Sequence, residues 1–191
     1  MPENPRFGWR VLLASTALAA IAAGMVVVLF SGGDDGSAPD TTAPPTIKID
    51  DEPKVDADTV TFTDFDGKDV LLSSLKGTPT VINFFASTCI PCITEMPDLE
   101  KVHQQVGTRV TFLGLALQDR IDASKELIRQ TGITYRTARD SDAHVFQVFD
   151  GTVLPMTVLL DADGTVVATH PGQLTADQLR TLITDKLGIT P

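Results

Sequence analysis

Cysteine is scarce in this chain: it has two cysteines among 191 residues, Cys89 and Cys92. A fold stapled by several disulfides is therefore excluded. A structural zinc site normally takes four cysteine or histidine ligands. The three histidines do not complete such a site by their spacing (His103, His144 and His170). We expect no metal site and no cofactor beyond the two sulfurs.

Positive charge is also in short supply. The 15 lysines and arginines are outnumbered by 25 aspartates and glutamates, which gives a formal net charge of −10 at pH 7. So acidic a chain is not expected to bind nucleic acid, whose phosphates attract basic surfaces. Hydrophobic residues make up 42% of the sequence, enough for a core without disulfide support. The length predicts one domain with appended segments.

Residues 11–30 form a long stretch without charge. A helix of that length would span about 30 Å, the thickness of a bilayer core. Arg6 and Arg10 precede the stretch and aspartates follow it, so the positive-inside rule places residues 1–10 in the cytoplasm and the rest of the chain outside. Ala17-Leu18-Ala19 leaves a cleaved signal peptide as the alternative. We expect a single-pass anchor in a bacterial cell membrane.

Residues 31–58 are rich in glycine, serine, aspartate, threonine and proline and have no hydrophobic period. This composition predicts a disordered linker. The globular domain is then expected at residues 59–191, held away from the membrane by the linker.

Hydrophobic periodicity and turn residues predict an α/β domain, with a mixed central sheet flanked by helices. A hairpin comes first, strands and helices then alternate, and a second hairpin precedes the last helix. The predicted strands cover 59–64, 68–72, 80–85, 109–117, 156–160 and 165–170. The predicted helices cover 93–106, 123–130, a short stretch that begins at caps in 140–142 and ends at 149, and a last stretch that Thr175 caps and that ends at Leu187.

The cysteine pair stands where a buried strand gives way to a helix. Cys89 falls at or near the helix start, where unpaired backbone N–H groups and the helix dipole stabilise an anion such as a thiolate. We assign Cys89 as the exposed nucleophile and Cys92 as the more buried resolving thiol, with Pro91 stiffening the loop. A structural disulfide across so short a loop would stabilise the fold little. The spacing therefore predicts a redox-active Cys89–Cys92 disulfide.

Two further residues have more than one interpretation from spacing alone. Glu95 lies on the same helical face as Cys92, where its carboxylate would oppose thiol ionisation and relay protons; an ordinary solvated glutamate is the alternative. Leu154-Pro155 opens a strand. A cis bond there would present backbone for pairing with a bound peptide, whereas a trans bond would make it an ordinary loop.

Several blocks of this sequence, taken in order, resemble the thioredoxin-like superfamily, and within it the membrane-anchored TlpA-like branch with its ResA-type and cytochrome c maturation thiol oxidoreductases. The resemblance covers residues from about 59 to the end. The matching blocks are Val81-Ile82-Asn83-Phe84-Phe85-Ala86-Ser87, Cys89-Ile90-Pro91-Cys92, Glu95-Met96-Pro97-Asp98-Leu99, Gly151-Thr152-Val153-Leu154-Pro155-Met156-Thr157, Leu160-Asp161-Ala162-Asp163-Gly164 and Gly172. A bare C-x-x-C is weakly specific, but these blocks in this order are strongly specific.

The resemblance implies a thioredoxin fold with the cysteine pair at the start of the first long helix and an N-terminal β-hairpin extension. It also implies that Pro155 is a cis-proline facing the pair. Glu95 becomes the acidic residue that this branch keeps near its active site. We assign substrate contacts to the residues around these positions, namely Thr88, Ile90, Pro91 and Leu154.

The chain departs from the family pattern at two positions. Members usually have tryptophan immediately before the first cysteine, and Thr88 removes that flat apolar contact surface. Thioredoxin has a buried aspartate where this chain has Asn83. Because Asn83 cannot take up a proton, an acid–base role there would pass to Glu95 or to a water, or would be absent.

These features predict an extracytoplasmic, membrane-tethered thiol–disulfide oxidoreductase. The resemblance implies that it reduces substrate disulfides, and the reverse cycle, in which it would oxidise them, is the alternative. Its partners would be proteins with thiols or disulfides, with apocytochrome c as a candidate, and a membrane electron-donor protein that recharges the pair. A copper(I) metallochaperone is the alternative, because thiolates suit that soft ion. A peroxiredoxin is disfavoured, because Ile82 and Ala86 occupy the positions where its Pro-x-x-x-Thr/Ser-x-x-Cys motif needs proline and a hydroxyl.

Overall fold

The computed structural model describes residues 55–191, and a seven-stranded sheet lies at their centre. The strands are β1 (Thr61–Thr63), β2 (Asp69–Leu71), β3 (Thr80–Phe85), β4 (Thr111–Leu117), β5 (Arg136–Asp140), β6 (Met156–Leu160) and β7 (Val166–Pro171). The helices are α1 (Ile90–Val106), α2 (Ile121–Thr131), α3 (His144–Val148) and α4 (Ala176–Leu187), with short 3₁₀ turns at Leu72–Leu75 and Gly107–Arg109. The sheet order is β2-β1-β5-β4-β3-β6-β7. This is the thioredoxin-like mixed sheet, and the leading hairpin extends it at one edge.

Strand β3 is the inner strand from which the site is built. All of its residues are buried, which suits its run of valine, isoleucine and phenylalanine. It runs parallel to β4 and antiparallel to β6, with Phe84 opposite Met156. Its carboxyl end therefore lies beside the start of β6. The cysteine pair, which follows β3, and the Leu154–Pro155 segment, which precedes β6, meet at this edge of the sheet.

The side chains of β3 alternate between two hydrophobic cores, as the pleat requires. Val81 and Phe85 pack in a core that includes residues of α1, α2 and α4. Ile82 and Phe84 pack on the opposite face, among residues of the hairpin and α3. The same alternation turns the polar side chain of Asn83 towards the face that α1 covers.

Helix α1 begins at Ile90, so the start predicted at residue 93 is wrong by one turn. The reason is the cap: Cys89 is the N-cap residue, and its Sγ accepts a hydrogen bond from the Cys92 N–H. Pro91 fits the first turn because its missing N–H would have had no partner there. The prediction that Cys89 falls at or near the helix start is therefore confirmed.

Strand β5 is missing from the sequence prediction, because its sequence Arg-Thr-Ala-Arg-Asp has no apolar run. It is nevertheless held in the sheet by parallel pairing with β4 and by contact with β1. Asp140, predicted as a cap, ends this strand, and its carboxylate accepts from the Val145 and Phe146 N–H groups. The N-cap position of α3 is Ala143, in a left-handed conformation with φ 63°. Asp140 and Asp142 therefore supply acceptors to the first N–H groups of α3, as predicted, but from positions before the N-cap residue.

Gly151 lets the chain before β6 pass close to the core. A Cβ at this position would lie 2.5 Å from the ring of Phe146, and that ring packs edge-on against Phe84 of β3 with centroids 5.3 Å apart. A side chain here would push the aromatic pair apart. The glycine therefore fixes the path of the segment that leads to Pro155.

The remaining elements follow the predicted order. Both predicted hairpins form. The first has shorter strands than predicted, whereas in the second β6 has the predicted bounds and β7 is shifted by one residue. Gly132 ends α2 in a left-handed conformation. Thr175 caps α4 in a capping box with Gln178, and Gly188 ends that helix. These confirmed boundaries all carry residues whose side chains or φ angles favour one local geometry.

The predicted cytoplasmic segment, the anchor at 11–30 and most of the linker lie outside the described residues, so the domain boundaries stay predictions. Within residues 55–191, none of the helices combines the length and the apolar character needed to cross a bilayer.

Candidate active site

Cys89 and Cys92 are joined by a disulfide, with their Cα atoms 5.3 Å apart. Cys92 is fully buried, whereas Cys89 is half-buried and packs at the rim of the core beneath α1. The neighbouring residues Thr88, Ile90 and Pro91 are exposed. An incoming sulfur therefore reaches Cys89 before it reaches Cys92.

The helix start gives Cys89 an environment that favours negative charge. Its Sγ lies 3.3 Å from the Cys92 backbone nitrogen and accepts that N–H. Because Pro91 has no N–H, Ile90 carries the other N–H of the first turn, and this group has no partner within the helix. After reduction, a thiolate at Cys89 would meet the same donors and the positive end of the helix dipole.

The Leu154–Pro155 peptide bond is cis, as the resemblance implies. Pro155 is buried directly before β6, and its carbonyl accepts a hydrogen bond of 2.8 Å from the Gly172 N–H. Leu154 is half-buried and packs against the same core as Cys89. The proline segment and the cysteine pair thus share one edge of the sheet.

Glu95 is fully buried on α1, so the alternative of a solvated helix glutamate is wrong. Its Oε1 accepts a hydrogen bond of 2.6 Å from Asn83 Nδ2, and its Oε2 accepts one of 2.8 Å from the Leu174 N–H. The carboxyl group therefore joins α1 to β3 and to the loop before α4.

Burial raises the pKa of the Glu95 carboxyl to about 7, and the hydrogen bonds from Leu174 and Asn83 offset only part of that rise. The side chain therefore exchanges its proton near neutral pH. Because Glu95 follows Cys92 by one helical turn, it can hold or release a proton while the thiols form and disappear.

Asn83 lies where its carbonyl oxygen has no hydrogen-bond partner within residues 55–191. Its Nδ2 donates to Glu95 and also lies 3.4 Å from Thr157 Oγ1 on β6. Asn83 cannot ionise, so it acts on the site by orienting the carboxyl group. The proton-binding group of this core is Glu95.

A hydrogen-bond cluster that the sequence pattern does not reveal lies beside the cysteine loop, which connects β3 to α1 (residues 86–89). Asp119, two residues after the end of β4, accepts hydrogen bonds from Ser87 in that loop and from Ser124 on α2. The carboxyl ends of parallel strands meet at one edge of a sheet, so pairing β3 with β4 would have placed Asp119 near Ser87. Three exposed apolar residues at this edge were also missed, namely Ile93, Ile121 and Val153.

No group of three or more histidine, cysteine, aspartate or glutamate side chains in residues 55–191 is arranged to hold a metal ion. His103 instead packs between aromatic rings, 5.2 Å from Phe112 and 5.7 Å from Tyr135 between centroids.

Comparison with known proteins agrees with this geometry. A family model described as Redoxin matches residues 35–183. The chain belongs to the Redoxin family. The thiol-disulfide oxidoreductase ResA of Bacillus thuringiensis (strain Al Hakam) is 30% identical over 118 residues, which are 61% of this chain and 68% of that protein. The resemblance to ResA-type thioredoxin-like proteins is confirmed.

Two solved structures share the fold. MTB dsbF, seen in mixed oxidised and reduced forms, has a TM-score of 0.62 and 28% identity over 68% of this chain and 96% of that one. A thiol:disulfide interchange protein of the thioredoxin family from Chlorobium tepidum TLS has a TM-score of 0.61 and 27% identity over 72% and 99% of the two chains. With the Cys89–Cys92 disulfide at its helix start, this Redoxin-family chain is a thiol–disulfide oxidoreductase.

Glu95→Gln is expected to change how stability depends on pH. The unfolded chain releases the Glu95 proton near pH 4.5, whereas the folded protein holds it to about pH 7. The folded state thus binds more protons in this window, and the protein loses stability as pH rises through it. Glutamine has no such proton, so the unfolding free energy of the variant relative to the parent should rise by roughly 2–3 kcal/mol from pH 5 to pH 8.

Urea unfolding of the oxidised proteins at both pH values measures this difference. Glu100→Gln is the matched control on the same helix. Burial of Glu100 is outweighed by hydrogen bonds from Thr134 and Gln104, which lower the pKa of its carboxyl group, so its difference from the parent should be the same at pH 5 and pH 8. If the difference in unfolding free energy between Glu95→Gln and the parent were also the same at pH 5 and pH 8, the raised pKa of Glu95 would be contradicted.

Proposed function

We propose that this protein is a membrane-tethered reductase of protein disulfides, whose thioredoxin-like domain works on the outer side of a bacterial cell membrane. The observation that carries the proposal is a disulfide at a helix start, with Cys89 partly exposed, Cys92 buried and a buried, proton-binding carboxyl group one turn further along.

The reaction cycle follows from the unequal exposure of the two sulfurs. In the reduced protein, the Cys89 thiolate attacks a client disulfide, and the first client sulfur leaves and takes up a proton. A mixed disulfide then joins Cys89 to the second client sulfur. Cys92 then loses its proton and attacks Cys89 Sγ. The bond between Cys89 and the second client sulfur breaks, and this client sulfur leaves and takes up a proton. Two electrons pass to the client, and the Cys89–Cys92 disulfide of the structure is formed.

The position of Glu95 supports reduction rather than oxidation of clients. A dithiol couple is a strong oxidant when its reduced form is stabilised. An ionised carboxylate near the pair opposes the thiolate by like-charge repulsion, against the stabilisation that the helix start provides. Glu95 thereby disfavours the reduced pair, which makes the couple a better electron donor. Its carboxylate also accepts the proton that Cys92 must lose.

Exposed apolar side chains around the pair suit a protein client rather than a small polar thiol. Ile90 is 75% exposed, Ile93 37%, Ile121 39% and Val153 48%. These residues lie at the starts of α1 and α2 and in the segment before Pro155. With Thr88 in place of the usual tryptophan, we assign the apolar contact to these aliphatic side chains. A client cysteine flanked by apolar residues would bury them.

The tether rests on residues 11–30, which are free of charge and preceded by Arg6 and Arg10, as the positive-inside rule requires for a cytoplasmic N-terminus. An exported domain lacks the cytosolic thiol pool, so the oxidised pair needs a membrane electron-donor protein for reduction. The resemblance to the TlpA-like branch makes apocytochrome c, with its paired cysteines, a candidate client.

Substitution of each cysteine in turn tests the assigned roles. Cys89→Ser should reduce insulin disulfides no faster than background, because no nucleophile remains at the exposed position. Cys92→Ser should accumulate a mixed disulfide with the client, because the resolving thiol is lost. Gel shifts under non-reducing conditions measure the trapped species.

The double variant Cys89→Ser/Cys92→Ser is the control, and it should trap nothing. Dithiothreitol should release the client from Cys92→Ser. Full insulin reductase activity in Cys89→Ser would mean that the two cysteines have the opposite roles.

The location can be read from the same cysteines, since the chain has no others. In intact cells, a membrane-impermeant maleimide should label the reduced pair of the full chain, and the protein should stay in carbonate-washed membranes. A variant without residues 11–30 should be labelled only after lysis. Labelling of the full chain only after lysis, or its release from washed membranes, would contradict the tether.

A further inference from the structure

Asp119 links the cysteine loop to the neighbouring strand. The loop runs from the end of β3 at Phe85 to the start of α1 at Ile90. Asp119 Oδ2 accepts a 2.7 Å hydrogen bond from the Ser87 N–H, and Oδ1 accepts one of 2.8 Å from Ser87 Oγ. Both the backbone and the side chain of this residue are thus held by one carboxylate.

The contact falls within the turn that presents the reactive sulfur. The Cys89 N–H donates to the Ala86 carbonyl at 3.0 Å, and this bond closes a four-residue turn with Ser87 at its second position. Within the described chain, the side-chain hydrogen bonds that hold residues 86–88 all end on Asp119. The direction in which the turn enters α1 therefore depends on this carboxylate.

The other side of Asp119 is anchored on α2. Its carboxylate also accepts from the Arg120 N–H at 2.9 Å and from Ser124 Oγ at 3.0 Å, and Ser124 is buried in the first turn of that helix. A charged acceptor with neutral donors on both oxygens forms strong, well-directed hydrogen bonds. Asp119 is thus a rigid connection between α2 and the cysteine loop.

We propose that Asp119 is a positioning residue for disulfide exchange. By holding Ser87, it fixes the approach angle between Cys89 Sγ and the client disulfide, where the three sulfurs must come into line. The proposal rests on the thiol–disulfide exchange described above and adds a residue that does not itself touch the reacting atoms.

If Asp119 positions the cysteine loop, its loss should affect two reactions of the Cys89 thiolate differently, namely disulfide exchange and alkylation. Exchange with a folded protein disulfide needs the sulfurs aligned, and a small misplacement lowers its rate strongly. Alkylation by iodoacetamide needs only an accessible thiolate. In Asp119→Asn, the amide NH2 replaces one carboxylate oxygen and faces the Ser87 N–H or the Arg120 N–H, neither of which can accept a hydrogen bond. Ser87→Ala removes the hydroxyl contact and leaves the Asp119 charge and the backbone N–H contact in place.

The test uses the full chain, reduced, at a pH high enough for complete ionisation of Cys89. Asp119→Asn and Ser87→Ala should slow exchange with insulin by about tenfold or more, while iodoacetamide alkylation of Cys89 stays within about twofold of the parent. Ser87→Thr keeps the hydroxyl and should restore exchange. Asp122→Asn, an exposed aspartate of the same segment that pairs with Arg120, should leave both rates unchanged.

Parallel loss of both rates, or normal exchange with only a lower unfolding temperature, would overturn the proposal and leave Asp119 a purely structural residue. If Asp119→Asn fails to fold, the Ser87→Ala and Ser87→Thr pair decides alone. A parent protein without insulin reductase activity would instead count against the proposed function, so the two failures are distinguishable.

Discussion

A carboxyl group buried behind a disulfide is the constraint on which this site depends. Burying Glu95 opposes its ionisation and raises its pKa to about 7. The chain holds the group in place with donors from two distant segments, Asn83 in the buried strand β3 and the Leu174 N–H before α4. The placement of α4 therefore affects the redox site, because the Leu174 N–H just before this helix holds the Glu95 carboxyl group. In sequence, α4 is far from both cysteines.

The sheet topology gathers the remaining chemistry at one edge. The parallel pairing of β3 with β4 brings Asp119 beside the cysteine loop, and the antiparallel pairing of β3 with β6 brings Pro155 to the same edge. Gly151 allows the close packing that fixes the segment before Pro155. Strand β3 thus brings Cys89, the Leu154–Pro155 segment and Asp119 to one edge of the sheet, and the exposed isoleucines around them give that edge an apolar surface.

Local sequence predicted those parts of the molecule whose physics is local. The β3 strand and the capped α4 helix carried their own signals, whereas the polar strand β5 is held only by its neighbours. The cysteine pair was found from its spacing, but the cap that starts α1 is a sulfur and so lies outside the usual capping residues. Glu95 could be placed on the right face, yet its partner Leu174 is 79 residues away, a contact that no local pattern shows.

The equilibrium potential of the Cys89–Cys92 couple, measured against glutathione with the full chain, tests the central claim most directly. If the buried carboxylate of Glu95 disfavours the thiolate, the pair is a reductant, and its potential should lie near or below about −270 mV. A potential near about −120 mV, the level of a strong oxidant, would contradict the account.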